Sequence, residues 1–349
     1  MNNKEKVTIK DIARHTGLSK GTVDRVLHNR EGVSKKSYAK VMKVIEELGY
    51  EPNIYASLLA RNETKVVAVI LPHSAPGEFW ELVEPGLLKG IETAGKMGIE
   101  VRKIDYNQYD ESAFIAACNT AMEMKPAGVV LPPMFKDATA DFTARLREGA
   151  VPYVFIDTKP EDEQGHLAYF GMPPYKSGYL CASILTDGRE PQEVKQIGVI
   201  RIQRDKLGLS DPTISRREGF IDYIKDNYPA CKLDFVFIDP NKPKEIDGIL
   251  EKFFSENPDI RYVAMYNSRI HLIVPFLKRH HKCRVVGFDS LSANLEALRD
   301  GTVTALIAQR PDEQISDAIS ALTDLLVFGK APAVQDNYAH MNILTRYNI

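Results

Sequence analysis

The sequence predicts an all-α head joined to a larger α/β body with parallel sheets, and three observations carry that reading. Apolar positions recur at helical spacing through residue 48, then give way to apolar strands alternating with amphipathic helices from residue 66 onward. Formal charge divides along nearly the same line. Residues 1–61 hold twelve Lys+Arg against seven acids, a charge of +5, which leaves −7 for the remainder. The near-neutral total of 45 basic and 47 acidic side chains hides that asymmetry. A small basic head on an acidic body fits a nucleic-acid partner for the head alone. The length of 349 residues allows two or three domains, each able to bury a core. A composition 44% apolar and 26% charged excludes a disordered, collagen-like or rod-like chain.

The first six residues, Met1-Asn2-Asn3-Lys4-Glu5-Lys6, lead into no apolar stretch of export-signal length, and no apolar run approaches the ~18 residues of a spanning helix. Cys118, Cys181, Cys231 and Cys283 lie 63, 50 and 52 positions apart, without zinc or redox-motif spacing. They are expected to be reduced core thiols. The expectation is a cytoplasmic protein with no cofactor, no metal and no membrane partner.

In the head, Thr8 is placed to cap a helix carrying Ile9, Ile12 and Ala13, and Gly17 permits a tight turn after it. Ser19 caps a second helix bearing Val23, Val26 and Leu27. Ser34 caps a third, whose Tyr38, Val41, Met42, Ile45 and Leu48 are read as its buried side and whose end is marked by Gly49. Two short helices across a three-to-four-residue turn, with a third closing the core, is helix-turn-helix grammar. In the body, apolar strands are read at 66–71, 99–105, 128–131 and 153–156, with helices near 79–97, 112–124 and 138–147. Further strands follow at 196–202, 233–238, 262–265, 285–288 and 304–308. About 285 residues of this pattern should form two lobes with ligands at the carboxyl ends of the strands.

The head segments Val7-Thr8-Ile9-Lys10-Asp11-Ile12-Ala13, Gly17-Leu18-Ser19, Thr22-Val23-Asp24-Arg25-Val26-Leu27, Val33-Ser34 and Leu48-Gly49-Tyr50-Glu51-Pro52-Asn53 resemble the LacI-type (lactose/galactose) repressors. The body resembles that family's two-lobed, periplasmic-binding-protein-like (type I) sensor. The resemblance implies a helix-turn-helix DNA-binding domain at 1–52, a hinge at 53–61 and a ligand-binding and dimerisation domain at 62–349. Its first lobe is expected at 62–172 and 309–335, its second at 173–308 and 336–349.

A helix starting at Ser19 presents its first turns to a major groove. Lys20 and Arg25 are the expected donors, and Arg reads guanine bidentately for about 1–3 kcal/mol of discrimination. Thr22 suits a phosphate or a thymine methyl, while Ser34, Lys35 and Lys36 set a helix N-terminus and two cations where a phosphate is held. Thr8, Ser19 and Gly21 complete the contact set. The resemblance adds Asn53, Ala56 and Leu59 from the hinge, with Leu59 as a minor-groove wedge. Two positions depart from the family: Asp24 stands where a small hydroxyl residue is usual, and Gly21 removes a side chain from the reading face.

For the cleft, Phe79 and Trp80 offer flat faces to a sugar ring, and Asp157, Arg216, Asn267, Asp289 and Gln309 offer polar groups at strand–helix junctions. An ordinary core pair and ordinary capping residues are the competing readings of these positions. The crossover Gly171-Met172-Pro173-Pro174-Tyr175 lacks the family's usual acid or amide, and Ser268 replaces the Asp that usually follows Asn267. Arg204 and Lys206 near Arg216 admit a sugar acid or sugar phosphate beside a neutral sugar. Together these imply a homodimer on double-stranded palindromic operator DNA, released or recruited by a small-molecule effector. A transporter's binding protein and a sugar-processing enzyme are the rival classes. No Gly-x-Ser-x-Gly, phosphate-binding loop or dinucleotide fingerprint supports the enzyme.

Overall fold

The computed structural model describes residues 7–27, 32–48, 65–160, 162–163, 165–202, 212–280 and 283–349. The chain divides into two compact units, Met1–Glu63 and Thr64–Ile349. The expected contacts Asn53, Ala56 and Leu59 lie outside the described residues, as do Gly49, Arg204 and Lys206.

The first unit is three helices: α1 (Ile9–Thr16), α2 (Lys20–Leu27) and α3 (Lys35–Leu48). At the start of α1 the Thr8 amide donates to Asp11 Oδ2 at 3.0 Å and the Thr8 hydroxyl donates to the same oxygen at 2.6 Å. Gly17 closes α1 at φ 62°, a left-handed conformation that lets the chain turn sharply into α2. Ser19 and Ser34 each accept a backbone amide three residues on, Thr22 at 3.1 Å and Ser37 at 3.1 Å, so both act as the caps the sequence implied. The core is Ile12, Val23, Val26 and Val41, with Val44 and Ile45 packed against it. Tyr38 and Met42 were expected on the buried side of α3 but stand 42% and 43% exposed. Two short partner helices cover only the narrow stripe of Val41, Val44 and Ile45, so the flank carrying Tyr38 and Met42 stays in solvent.

The second unit contains two six-stranded sheets. The first is ordered β11-β5-β4-β3-β1-β2, from β1 (Lys65–Pro72), β2 (Ile99–Tyr106), β3 (Gly128–Leu131), β4 (Tyr153–Asp157), β5 (Ala168–Gly171) and β11 (Asp336–Tyr338). The second is ordered β12-β10-β9-β8-β6-β7, from β6 (Gln196–Ile202), β7 (Lys232–Ile238), β8 (Tyr262–Met265), β9 (Arg284–Phe288), β10 (Ala305–Ala308) and β12 (Asn342–Leu344). Both repeat the doubly wound order 2-1-3-4-5, whose strands deliver their carboxyl ends to one side. Every pairing is parallel except the edge pair β10 with β12, which is antiparallel.

The helices follow the strands: α4 (Glu84–Lys96), α5 (Glu111–Glu123), α6 (Lys136–Glu148), α7 (Pro174–Thr186), α8 (Pro212–Asn227), α9 (Pro243–Glu256), α10 (Val274–His280), α11 (Ser292–Arg299) and α12 (Pro311–Phe328). The stretch read as one helix near 79–97 is a 3-10 turn at Phe79–Val83 followed by α4, because Pro85 opens a new first turn. The second lobe was expected to begin again at 336. Instead Asp336–Tyr338 pairs in parallel with β5 of the first sheet, and the chain reaches the second sheet only at β12. Helix α12 belongs with the first lobe, to whose core it gives Ile315, Ala318, Ile319 and Leu322. The second lobe has a core on each side of its sheet, one built around Phe254, Phe276 and Leu306 and the other around Phe220, Tyr266 and Phe288.

Helices α7 and α8 touch backbone to backbone. A Cβ at Gly178 would fall 1.8 Å from the main-chain oxygen of Arg216. Gly178→Ala is therefore expected to push α8 outward and destabilise the body by about 1–3 kcal/mol or more, read as a lowered thermal midpoint. An unchanged midpoint would show that α8 is free to shift.

Candidate functional site

Two surfaces collect the predicted residues. On the head, α2 is split lengthwise: Val23 and Val26 are buried, while Ser19, Lys20, Gly21 and Arg25 are exposed and Thr22 is half-buried. Thr8, Ser34 and Lys35 are exposed as well. The Ser19 and Thr22 hydroxyls lie 2.9 Å apart, so Thr22 is partly committed to its own helix start. A Cβ at Gly21 would meet only Ser19 Oγ, at 3.8 Å, so packing within the head gives no reason for a glycine there.

In the body, strand ends of both sheets supply the second set. Asp157 ends β4 and Asp289 follows β9, each in a left-handed conformation at φ 64° and 66°. Asp is among the few side chains that adopt this region readily. The turn brings each carboxyl group to the carboxyl edge of its sheet. Arg310 beside α12 shares the conformation at φ 53°. Asp289 was open to reading as the cap of the next helix, but α11 begins after Leu291 with no side-chain cap.

Arg216, on α8, is the central group, and it is only 7% exposed. Its Nη1 donates to the Tyr266 carbonyl at 3.0 Å and its Nη2 to Gln309 Oε1 at 3.1 Å, while the guanidinium lies 4.6 Å over the Phe288 ring. Its Nε has no hydrogen-bond partner, and neither do Asp289 Oδ1 and the Tyr266 hydroxyl, although all three are buried. Buried polar atoms without partners are costly, and two of these belong to the interacting pair Arg216 and Asp289. Burial pushes the Asp289 carboxyl up to about 7; Arg216 and a Gln309 hydrogen bond hold it down, and Asp157 across the cleft pushes it further up.

Gln309 is thus where predicted, between β10 and α12, and it does more than line the cleft. Gln314, a residue the sequence reading missed, donates to the Gln309 carbonyl at 2.8 Å and accepts from the Asp157 amide at 3.1 Å. A chain of hydrogen bonds therefore runs from Asp157 of the first lobe through Gln314 and Gln309 to Arg216 of the second. Tyr169, also missed, donates its hydroxyl to the Asp157 carbonyl at 3.0 Å. A glutamine inside an amphipathic helix and a tyrosine inside a short strand carry no local signal for such roles.

The remaining predicted residues are placed less directly. Asn267 follows β8, but its side-chain oxygen accepts the Arg269 amide at 3.0 Å and so serves a turn. Trp80 is 5% exposed and packs in the first lobe's core, while Phe79 is half-buried, 5.1 Å from it in an edge-to-face pair. Phe79 is the ring with surface to offer a ligand. An open groove lined by Tyr175, Arg201, Ile221, Phe235 and Phe237 lies on the outer side of α7, α8 and β7 and is separate from this cluster.

The comparisons cover both units of the chain. Residues 8–53 match the family described as "Bacterial regulatory proteins, lacI family", and residues 67–331 match a periplasmic binding protein domain. A curated relative, the HTH-type transcriptional regulator RegA of Clostridium saccharobutylicum, is 26% identical over 75% of this chain and 74% of its own. A crystal structure described as a LacI transcriptional regulator from Bacteroides fragilis superposes with a TM-score of 0.74 at 30% identity, over 82% of this chain and 98% of that one. A carbohydrate transporter solute binding protein from Agrobacterium radiobacter, solved with D-arabinose, shares the fold with a TM-score of 0.68 at 21% identity, over 82% and 96%.

The raised Asp289 carboxyl has a defined consequence for stability. In the folded protein it ionises near 7 rather than in the ordinary carboxylate range near 4, so its contribution is full below about pH 4 and is lost as pH rises toward 7. Asp289→Asn is expected to gain stability over the parent progressively across that interval, on the order of 1.4 kcal/mol per pKa unit as an upper bound. Denaturant unfolding of both proteins at several pH values measures the difference. A difference independent of pH would mean that the carboxyl titrates normally.

Proposed function

From the premise that the chain belongs to the lacI family of bacterial regulatory proteins, we propose a homodimeric cytoplasmic regulator. Its head binds a palindromic operator and its cleft binds a sugar. The protein is a DNA-binding transcription regulator rather than an enzyme, like the relatives it matches. The observation that carries the DNA reading is the lengthwise division of α2. Around buried Val23 and Val26 the helix start leaves Ser19, Lys20, Gly21 and Arg25 exposed, the donors and the gap that an edge of base pairs needs. Bare Gly21, unneeded for packing, suits close approach of backbone to DNA. Asn53, Ala56 and Leu59 complete the reading as hinge contacts in the minor groove. One head reads one half-site, so a dimer and a palindrome follow from geometry.

The effector reading rests on the orphaned atoms around Arg216 and Asp289. A guanidinium N–H and a carboxylate oxygen of the interacting pair Arg216 and Asp289 offer a donor and an acceptor to the vicinal hydroxyls of a sugar. Asp289 interacts with Arg216 as an opposite charge and with Asp157 as a like one, so carboxyl groups already offset the inner cation. That balance favours a neutral sugar over a sugar acid or sugar phosphate. Asn267, Gln309 and Phe79 supply an amide, a hinge contact and an apolar face, with Trp80 behind Phe79.

Gel shift on the upstream promoter and thermal-shift screening with neutral sugars, sugar acids and sugar phosphates test the two halves separately. Removing residues 1–61 is expected to abolish the gel shift and leave the sugar-induced rise in midpoint. Retained DNA binding would overturn the domain assignment. Arg25→Ala is expected to cost about 1–3 kcal/mol at one base pair of each half-site and to relax discrimination there. Uniform weakening across sequences would assign Arg25 to phosphate instead.

A further inference from the structure

A second contact joins the lobes, away from the cluster around Arg216. Glu78 lies between β1 and the 3-10 turn, and Arg269 follows β8. Arg269 Nη2 stands 3.1 Å from Glu78 Oε1 and donates also to the Tyr109 hydroxyl at 2.7 Å. Gln108 donates to the other Glu78 oxygen at 3.3 Å. Glu78, Gln108 and Tyr109 come from loops after β1 and β2 of the first lobe; Arg269 comes from the second lobe alone. The side chains of Arg269 and Glu78 are 19% and 26% exposed, well shielded for residues of these types. Arg269 is also held from behind, because its amide donates to Asn267 Oδ1 and its carbonyl accepts from the Leu272 amide at 3.1 Å.

Closure that makes this pair also brings Asp157 of the first lobe toward Asp289 of the second, two carboxyl groups that disfavour each other's charge. The closed body therefore sets an attractive pair against an unfavourable one. We propose that Glu78 and Arg269, steadied by Tyr109 and Gln108, form an interlobe latch that holds the body closed without ligand. The latch sets how much of the closing work remains for a ligand. Where the closed form is the binding-competent one, a stronger latch raises apparent affinity by raising that form's population, and a weaker latch lowers it. Tyr109 and Gln108 act as positioning residues on Glu78 and Arg269.

The test needs neither DNA nor an effector. In the full-length chain, spin labels at Glu111→Cys and Ala293→Cys report the separation of the cleft-side ends of α5 and α11. A Cys231→Ser/Cys283→Ser background and dilution with unlabelled chain restrict the signal to pairs within one chain. The parent is expected to show one short distance. Glu78→Arg, which sets like charges against each other, is expected to move more than half of the population to a longer distance. The near-isosteric Glu78→Gln should move a smaller share, and the swap of Glu78→Arg with Arg269→Glu should restore the short distance. The same distribution in parent, Glu78→Arg and Glu78→Gln would overturn the latch. So would a swap that fails to restore the short distance, because the effect would then belong to the substituted sites and not to the pair.

Discussion

Arg216 is the constraint around which the body is arranged. A guanidinium that is only 7% exposed must be compensated on every side, and here the compensation comes from parts of the chain far apart in sequence. Tyr266 and Phe288 belong to strand ends of the second sheet, and Gln309 belongs to the crossing between lobes. Gln314 then connects that crossing to Asp157 in the first sheet. The backbone of Arg216 also packs directly against Gly178 where α7 meets α8. One residue therefore links the packing of a lobe, through its backbone, with the crossing between lobes, through its side chain. Substituting it would leave a carboxyl group buried among partners it no longer has, which is why the site and the fold are difficult to separate.

Most of the body was legible in the sequence because strands alternate with amphipathic helices, and the nine expected strands fall on nine observed ones, several of them continuous apolar runs. β5, β11 and β12 escaped notice for a physical reason. β11 and β12 are three residues long and only partly buried at sheet ends, while the short β5 follows β4 with no helix between them among the described residues, so the alternation of strand and helix does not mark it. The lobe boundary at 336 was misread for the same cause, since the polar β11 gives no sign of which sheet it completes. In the head, spacing located the helices and their serine caps. It overestimated the buried face of α3, because periodicity reports an apolar side and not how much partner surface exists to cover it.

The cleft was legible where chemistry coincides with a strand end. Asp157, Asp289 and Gln309 could be picked out because a polar residue directly after an apolar strand sits at the carboxyl edge of a sheet. Gln314, Tyr169, Glu78 and Arg269 could not, since each acts through a partner across the fold. Glu78 and Arg269 are 191 positions apart, and nothing local in either sequence neighbourhood points to the other.

The interleaving of the two lobes has a consequence for how the protein is made. The first lobe's hydrophobic core includes Ile315, Ala318, Ile319 and Leu322, and its sheet ends on a strand at Asp336–Tyr338. A chain emerging from the ribosome therefore lacks that lobe's covering helix and edge strand until nearly all 349 residues are synthesised. The second lobe waits only for Asn342–Leu344 at its edge, because its two hydrophobic clusters draw almost entirely on residues before 310. The half of the body translated first thus waits longest between the start of its core and the arrival of its covering helix, and its exposed apolar face must be protected from aggregation over that interval.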